Sequence, residues 1–206
     1  MLPRRILCLV TDLQRAGGAG QLLACVEGAV SGGVNMVQAR AHDLDSDALT
    51  ALATAIVDRV GDDALVVVNG PAGVAACAGA AGVHYREDAV AGNEDIPVNA
   101  TRLLRGRSVH SVEAAAAAES EGMDYLVVGT VFASASHPGE TRGGLDLVRR
   151  VCEAVNLPVL GIGGITPRNA AQVIEAGAQG VAVISAIIGQ SDPGHAARQL
   201  ADRIGL

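Results

Sequence analysis

A chain of 206 residues is long enough for one domain with a large core. Half of it is hydrophobic, yet aromatics make up only 1% and Trp is absent, so small aliphatics and 26 glycines must fill the core and its turns. A net charge of −7 with scattered basic residues argues against nucleic acid or an anionic membrane surface as partner, and all 15 basic residues are Arg, which excludes any Schiff-base, P-loop or general-base lysine.

The apolar run within residues 1–12 is too short for a secretion signal and ends at Thr11-Asp12, so it reads as a first strand. Eight aliphatic runs then alternate with helical stretches. The runs are Ile6–Val10, Met36–Gln38, Ala64–Val68, Gly82–His84, Ser108–Val109, Tyr125–Val128, Val159–Ile162 and Val181–Ile184. The predicted helices are Gln21–Ser31, Ser46–Val60, Pro71–Ala78, Asn99–Leu104, Val112–Glu121, Leu145–Val155, Pro167–Glu175 and Pro193–Ile204. Short apolar runs suit strands covered on both faces, and this alternation predicts an α/β fold, a (β/α)8 TIM barrel formed by residues 1–206 as one domain. An open doubly wound sheet competes, but the first loop, Thr11-Asp12-Leu13-Gln14, lacks its glycine fingerprint. Cys8, Cys25, Cys77 and Cys152 show no metal or redox spacing and read as small buried thiols in a reducing cytoplasm. No apolar segment has the length of a membrane span.

Active sites of such barrels gather where strands end. The stretch Val159-Leu160-Gly161-Ile162-Gly163-Gly164-Ile165-Thr166-Pro167 reads as a strand breaking into a glycine pair, with Thr166 as helix cap and Pro167 in the first helical turn. Bare glycines let backbone N–H groups approach an anion. A second apolar run ends at Ile184-Ser185. A Gly-Gly turn can merely pack a helix on a sheet, but two such elements in the last two positions point to a phosphate site at Gly163, Gly164, Ile184 and Ser185. The other strand ends supply Thr11, Asp12, Gln38, Arg40, His42, Asn69, His84, Arg86, His110, Ser111, Thr130, Ser134, Ser136 and His137. His110 is the acid/base candidate, since imidazole titrates near neutrality, although a capping or core histidine fits the spacing nearly as well. No metal site is expected. Glu87 and Asp88 are weak ligand candidates, and Asp43, Asp45 and Asp47 look like a solvated helix start.

Several motifs come in the order of a known family. They are Leu9-Val10-Thr11-Asp12, Val37-Gln38-Ala39-Arg40, Val68-Asn69, Gly82-Val83-His84, Ser108-Val109-His110-Ser111, Val128-Gly129-Thr130-Val131-Phe132, Gly161-Ile162-Gly163-Gly164-Ile165 and Val183-Ile184-Ser185-Ala186. Over nearly its whole length the chain resembles the thiamine phosphate synthase/TenI family. The resemblance implies a barrel that binds a thiazole phosphate in thiamine biosynthesis. One branch joins an aminopyrimidine diphosphate to a thiazole phosphate with Mg²⁺. The TenI branch aromatises a carboxythiazole phosphate, with the Ser-Val-His-Ser histidine as proton carrier.

The chain departs from the synthase pattern at His42, Gly70, the segment Tyr85–Asp88 and Ser134-Ala135-Ser136-His137, where the family carries Lys, Asp, an acidic Mg²⁺ ligand and Thr-x-Thr-Lys. A leaving diphosphate needs its charge neutralised, and a tautomerisation does not. The expectation is therefore an isomerase of the TenI type with no cofactor. His110 and Arg40 would be catalytic, and Gln38, Asn69, Ser134, Ser136 and His137 would hold substrate. A Mg²⁺-dependent synthase is the alternative, followed by a non-catalytic thiazole or thiamine phosphate binder. The partner implied is a phosphorylated thiazole, and homo-oligomerisation is left open.

Overall fold

The computed structural model describes residues 2–41, 43–89, 102–133 and 143–206. Eight parallel strands run in sequence order, β1 (Ile6–Val10), β2 (Met36–Ala39), β3 (Leu65–Asn69), β4 (Gly82–Tyr85), β5 (Leu104–Val109), β6 (Tyr125–Gly129), β7 (Val159–Ile162) and β8 (Gly180–Val183). β8 pairs back onto β1 with Ile6 opposite Gly180, so the sheet closes as the expected (β/α)8 barrel. Outside it lie α1 (Leu13–Ala16), α2 (Ala19–Ser31), α3 (Ser46–Val60), α4 (Ala72–Cys77), α5 (Val112–Ser120), α6 (Gly144–Ala154), α7 (Ala170–Glu175) and α8 (Pro193–Ile204). None of the described helices is long and apolar enough to cross a membrane.

Strand period two divides the core into two clusters. Ile6, Cys8, Val10, Met36, Val67, Tyr125, Val127, Leu160 and Ala182 fill the barrel interior. Their strand neighbours, such as Leu7, Leu9, Val37, Val66, Leu126 and Val181, pack outward against the helices. Cys8 is sealed inside, and burial pushes its thiol up to about 12, which makes it inert. Cys25 is buried in the outer layer, but Cys77 is exposed and Cys152 half-buried, so only two of the four thiols sit in the core.

Two elements differ from expectation. The helix expected over Asn99–Leu104 is not found where the chain is described, since Leu104 opens β5, while residues 99–101 lie outside the described residues. The sequence hid four residues of β5 because its outward positions carry Arg105 and Arg107 instead of aliphatics. Arg107 is nevertheless buried, and it donates to Glu121 Oε2 (2.6 Å) and the Ala89 carbonyl (3.2 Å). The second difference is α7, which starts at Ala170 and not Pro167. Asn169 Oδ1 accepts the Thr166 N–H (2.7 Å), and Asn169 Nδ2 donates to the Gly164 carbonyl (3.0 Å). This side chain offers the loop backbone an alternative to the helical turn, so Thr166 does not cap it.

His84 shows how the interior handles polar groups. The Tyr125 phenol donates to His84 Nδ1 (3.1 Å), and His84 Nε2–H donates to Ser108 Oγ (2.9 Å). This tautomer pairs the buried phenolic proton as well as the imidazole proton. Burial pushes His84 down to about 3, and it raises Tyr125 well above its ordinary value, with smaller contributions from Cys8 and Asp124. The Tyr125 ring fits because residue 106 is glycine, where a Cβ would overlap the ring. Gly106→Ala should therefore cost about 3 kcal/mol in urea unfolding, the upper part of the ordinary overpacking range. An unchanged midpoint would show that the ring can step aside.

Candidate active site

At the C-terminal end of the barrel, the Thr11 hydroxyl joins β1 to β2. It donates to the Arg40 carbonyl (2.9 Å) and accepts the Arg40 N–H (2.8 Å). This fixes the backbone from which the Arg40 side chain reaches the cavity. Burial lowers the Arg40 pKa, and the charge of Asp12 opposes that shift. Asp12 also caps α1 by accepting the Arg15 N–H (2.9 Å).

Beyond β7, Gly163 and Gly164 take φ values of +105° and +62°, which side chains rarely adopt. A Cβ on Gly164 would come within 2.5 Å of the Ala133 carbonyl and 2.7 Å of the Phe132 carbonyl. The loop is held by the Phe132 N–H on the Gly163 carbonyl (3.0 Å) and by Asn169. After β8 the chain forms a turn whose internal bonds begin with Ile187 N–H on the Ile184 carbonyl (3.1 Å), so the turn does not consume the N–H groups of Ser185 and Ala186. Gln190 Nε2 braces the turn on the Ser185 carbonyl (3.0 Å). With α7 only six residues long and starting late, backbone N–H groups of these two loops, more than a helix dipole, make this end attractive to an anion.

One cavity of about 750 Å³ brings together Arg40, His110, Gly163, Gly164, Ile184 and Ser185. Thr130, named above among the strand-end residues, lines it as well, as do Gln190 and Gln199, which the sequence did not single out. Gln38 is buried at the end of β2 and Asn69 half-buried at the end of β3, and neither is part of the cavity wall. His42, Ser134, Ser136 and His137 lie outside the described residues. Asp45 caps α3 and Asp47 lies in its first turn, as a helix-start cluster implies, whereas Asp43 accepts from Gln14 Nε2 of α1 (2.6 Å).

Glu87 is not placed as a metal ligand. It accepts the His110 backbone N–H on Oε1 (3.0 Å) and faces the His110 ring at Nδ1 with Oε2 (2.8 Å). Asp88 spends both oxygens on Arg86. Among the described residues no group of three His, Cys, Asp or Glu side chains could hold a metal ion.

Residues 7–187 match the family model described as thiamine monophosphate synthase. The chain belongs to this family. It is 40% identical over 206 residues to a thiamine-phosphate synthase of Natronomonas pharaonis, covering 95% of this chain and 93% of the relative. It is 43% identical over 184 residues to a thiamine-phosphate synthase of Methanoculleus marisnigri, covering 85% and 84%. Among solved structures, thiamine phosphate pyrophosphorylase from Pyrococcus furiosus superposes with a TM-score of 0.85 at 30% identity, covering 98% of this chain and 96% of that one.

These findings overturn the tautomerase expectation. Relatives near 40% identity over most of the chain carry the name of a synthase, which is a transferase and not an isomerase. The expectation treated missing lysines as missing charge. Arg40 and the loop N–H groups at the same cavity are alternative sources of positive potential.

Proposed function

We propose that this member of the family joins an aminopyrimidine diphosphate to a thiazole phosphate and releases diphosphate. The observation that carries the reading is the single cavity in which two N–H-bearing loops, at Gly163-Gly164 and Ile184-Ser185, face Arg40 and His110. In this reading the loops take the thiazole phosphate. The thiazole nitrogen gives its lone pair to the pyrimidine methylene carbon, and the C–O bond to the diphosphate breaks with its electron pair leaving on oxygen. Arg40 offers the departing diphosphate a bidentate, always-charged partner. Gln38 and Asn69 hold the rings at the barrel end, and Ser134, Ser136 and His137 are proposed substrate contacts in the part of the chain not described.

The family resemblance implies Mg²⁺, which when bound would neutralise diphosphate charge. The described carboxylates do not fit that ion, because Glu87 and Asp88 are committed to His110 and Arg86 and Gly70 follows Asn69. Among the described residues, Arg40 and the loop N–H groups remain to meet the diphosphate charge.

The test is to supply both substrates with and without Mg²⁺ and to follow thiamine phosphate and diphosphate. Equimolar appearance of the two is expected. Arg40→Gln should lower kcat by about 10²-fold, the scale of one lost charge-assisted bond to the leaving group. Failure of the purified chain to form thiamine phosphate under either condition would end the reading.

A further inference from the structure

Resting on the synthase reading, we propose that Glu87 is a positioning residue that holds His110 with Nε2 toward the cavity, where it receives the amino group of the aminopyrimidine. Two bonds fix His110 from the same carboxylate. Oε1 takes the backbone N–H at 3.0 Å and Oε2 faces ring Nδ1 at 2.8 Å. A carboxylate at Nδ1 selects the Nδ1–H tautomer of the neutral ring, which leaves the Nε2 lone pair as the acceptor. His110 is part of the cavity wall. With Nδ1 turned to Glu87, Nε2 is the ring nitrogen left for a ligand.

The chemistry gives that lone pair a use. As the methylene C–O bond breaks, positive charge spreads from the methylene carbon through the pyrimidine onto its amino nitrogen. The amino N–H becomes a stronger donor in the transition state than in the bound substrate. An acceptor placed there stabilises the transition state preferentially, which raises kcat more than it lowers KM. No proton changes owner. The hydrogen bond strengthens as the C–O bond opens and relaxes once the thiazole nitrogen has closed the new C–N bond. Glu87 acts only through His110, by fixing its tautomer and ring plane.

Glu87→Gln tests this directly, and because Glu87 is a loop residue at the rim, the fold should be retained. Its kcat for thiamine phosphate formation should fall about 10²-fold, the scale of losing one preorganised hydrogen-bonding group that acts in the transition state, with KM for thiazole phosphate within about twofold of wild type. Glu87→Asp should recover part of the loss. His110→Asn should cost at least as much, and the double variant no more than His110→Asn alone. Nitrogen-15 NMR of histidine-labelled protein should show His110 as the Nδ1–H tautomer in the wild type and a gain of Nε2–H in Glu87→Gln. Any response of activity to added Mg²⁺ should be the same in both proteins. A raised Mg²⁺ requirement would make Glu87 a metal ligand and overturn the assignment, as would an unchanged tautomer or losses that add in the double variant. A wild-type protein that makes no thiamine phosphate would overturn the synthase reading itself, a result distinguishable from these.

Discussion

Gly164→Val is expected to lower kcat/KM for thiazole phosphate by about 10³-fold while leaving a folded barrel. The residue sits at φ +62°, and its new Cβ would press on the Ala133 and Phe132 carbonyls at 2.5 and 2.7 Å. Backbone carbonyls have no far end to swing away, so the loop itself must move. A displaced loop withdraws its N–H groups from the phosphate. Two charge-assisted hydrogen bonds at about 2 kcal/mol each correspond to roughly 10³ in kcat/KM. The loss should fall on thiazole phosphate, with affinity for the aminopyrimidine diphosphate changed far less, because Arg40 follows β2, three strands around the barrel from β7. Circular dichroism and a thermal midpoint separate this from unfolding. Unchanged thiazole phosphate affinity in a folded variant would remove the phosphate assignment from this loop.

What the sequence showed of this site follows from what each feature depends on. β1, β7 and β8 are aliphatic because both faces are covered, so their runs announced them, and α8 spans the predicted Pro193–Ile204, with Asp192 ahead of it accepting the His195 N–H (2.8 Å). β5 was mostly concealed because burial of Arg107 depends on Glu121 and Ala89, partners the local pattern does not reveal. The late start of α7 depends on one side chain, Asn169, bonding backward to Gly164 and Thr166. An Asn two residues after a Thr-Pro pair carried that signal, but helix-start rules favour Thr-Pro.

Glu87 and His110 are 23 residues apart on different loops, and the parallel pairing of β4 with β5 makes them neighbours. In the sequence Glu87 could be seen only as an acidic residue near a strand end, hence as a weak metal candidate. His84 was placed with the mouth residues because it ends a run. Inward alternation instead puts it beside Tyr125, in a space that Gly106 leaves open. The glycine pair and Arg40 were legible because their role depends on position at a strand end, which the alternation of runs already fixes.

The buried His84 also gives the barrel a distinctive response to acid. In the unfolded chain this imidazole titrates near 6.5, and in the fold its pKa is held at about 3 by burial. Between those values the unfolded state binds a proton that the folded state does not. Unfolding free energy therefore rises with pH across this window and is lost as pH falls below about 6.5, with a limiting slope of about 1.4 kcal/mol per pH unit. The full gap is on the order of 5 kcal/mol, a large share of the stability of an ordinary domain. By pH 5 about 2 kcal/mol should already be gone, before most carboxylates begin to titrate. His84→Gln keeps a donor for Ser108 and an acceptor for Tyr125 but does not ionise. It should cost some stability at pH 7.5 through altered packing, yet lose about 2 kcal/mol less than wild type between pH 7.5 and 5 in urea unfolding. Parallel pH profiles for the two proteins would mean that His84 is not held neutral inside the barrel.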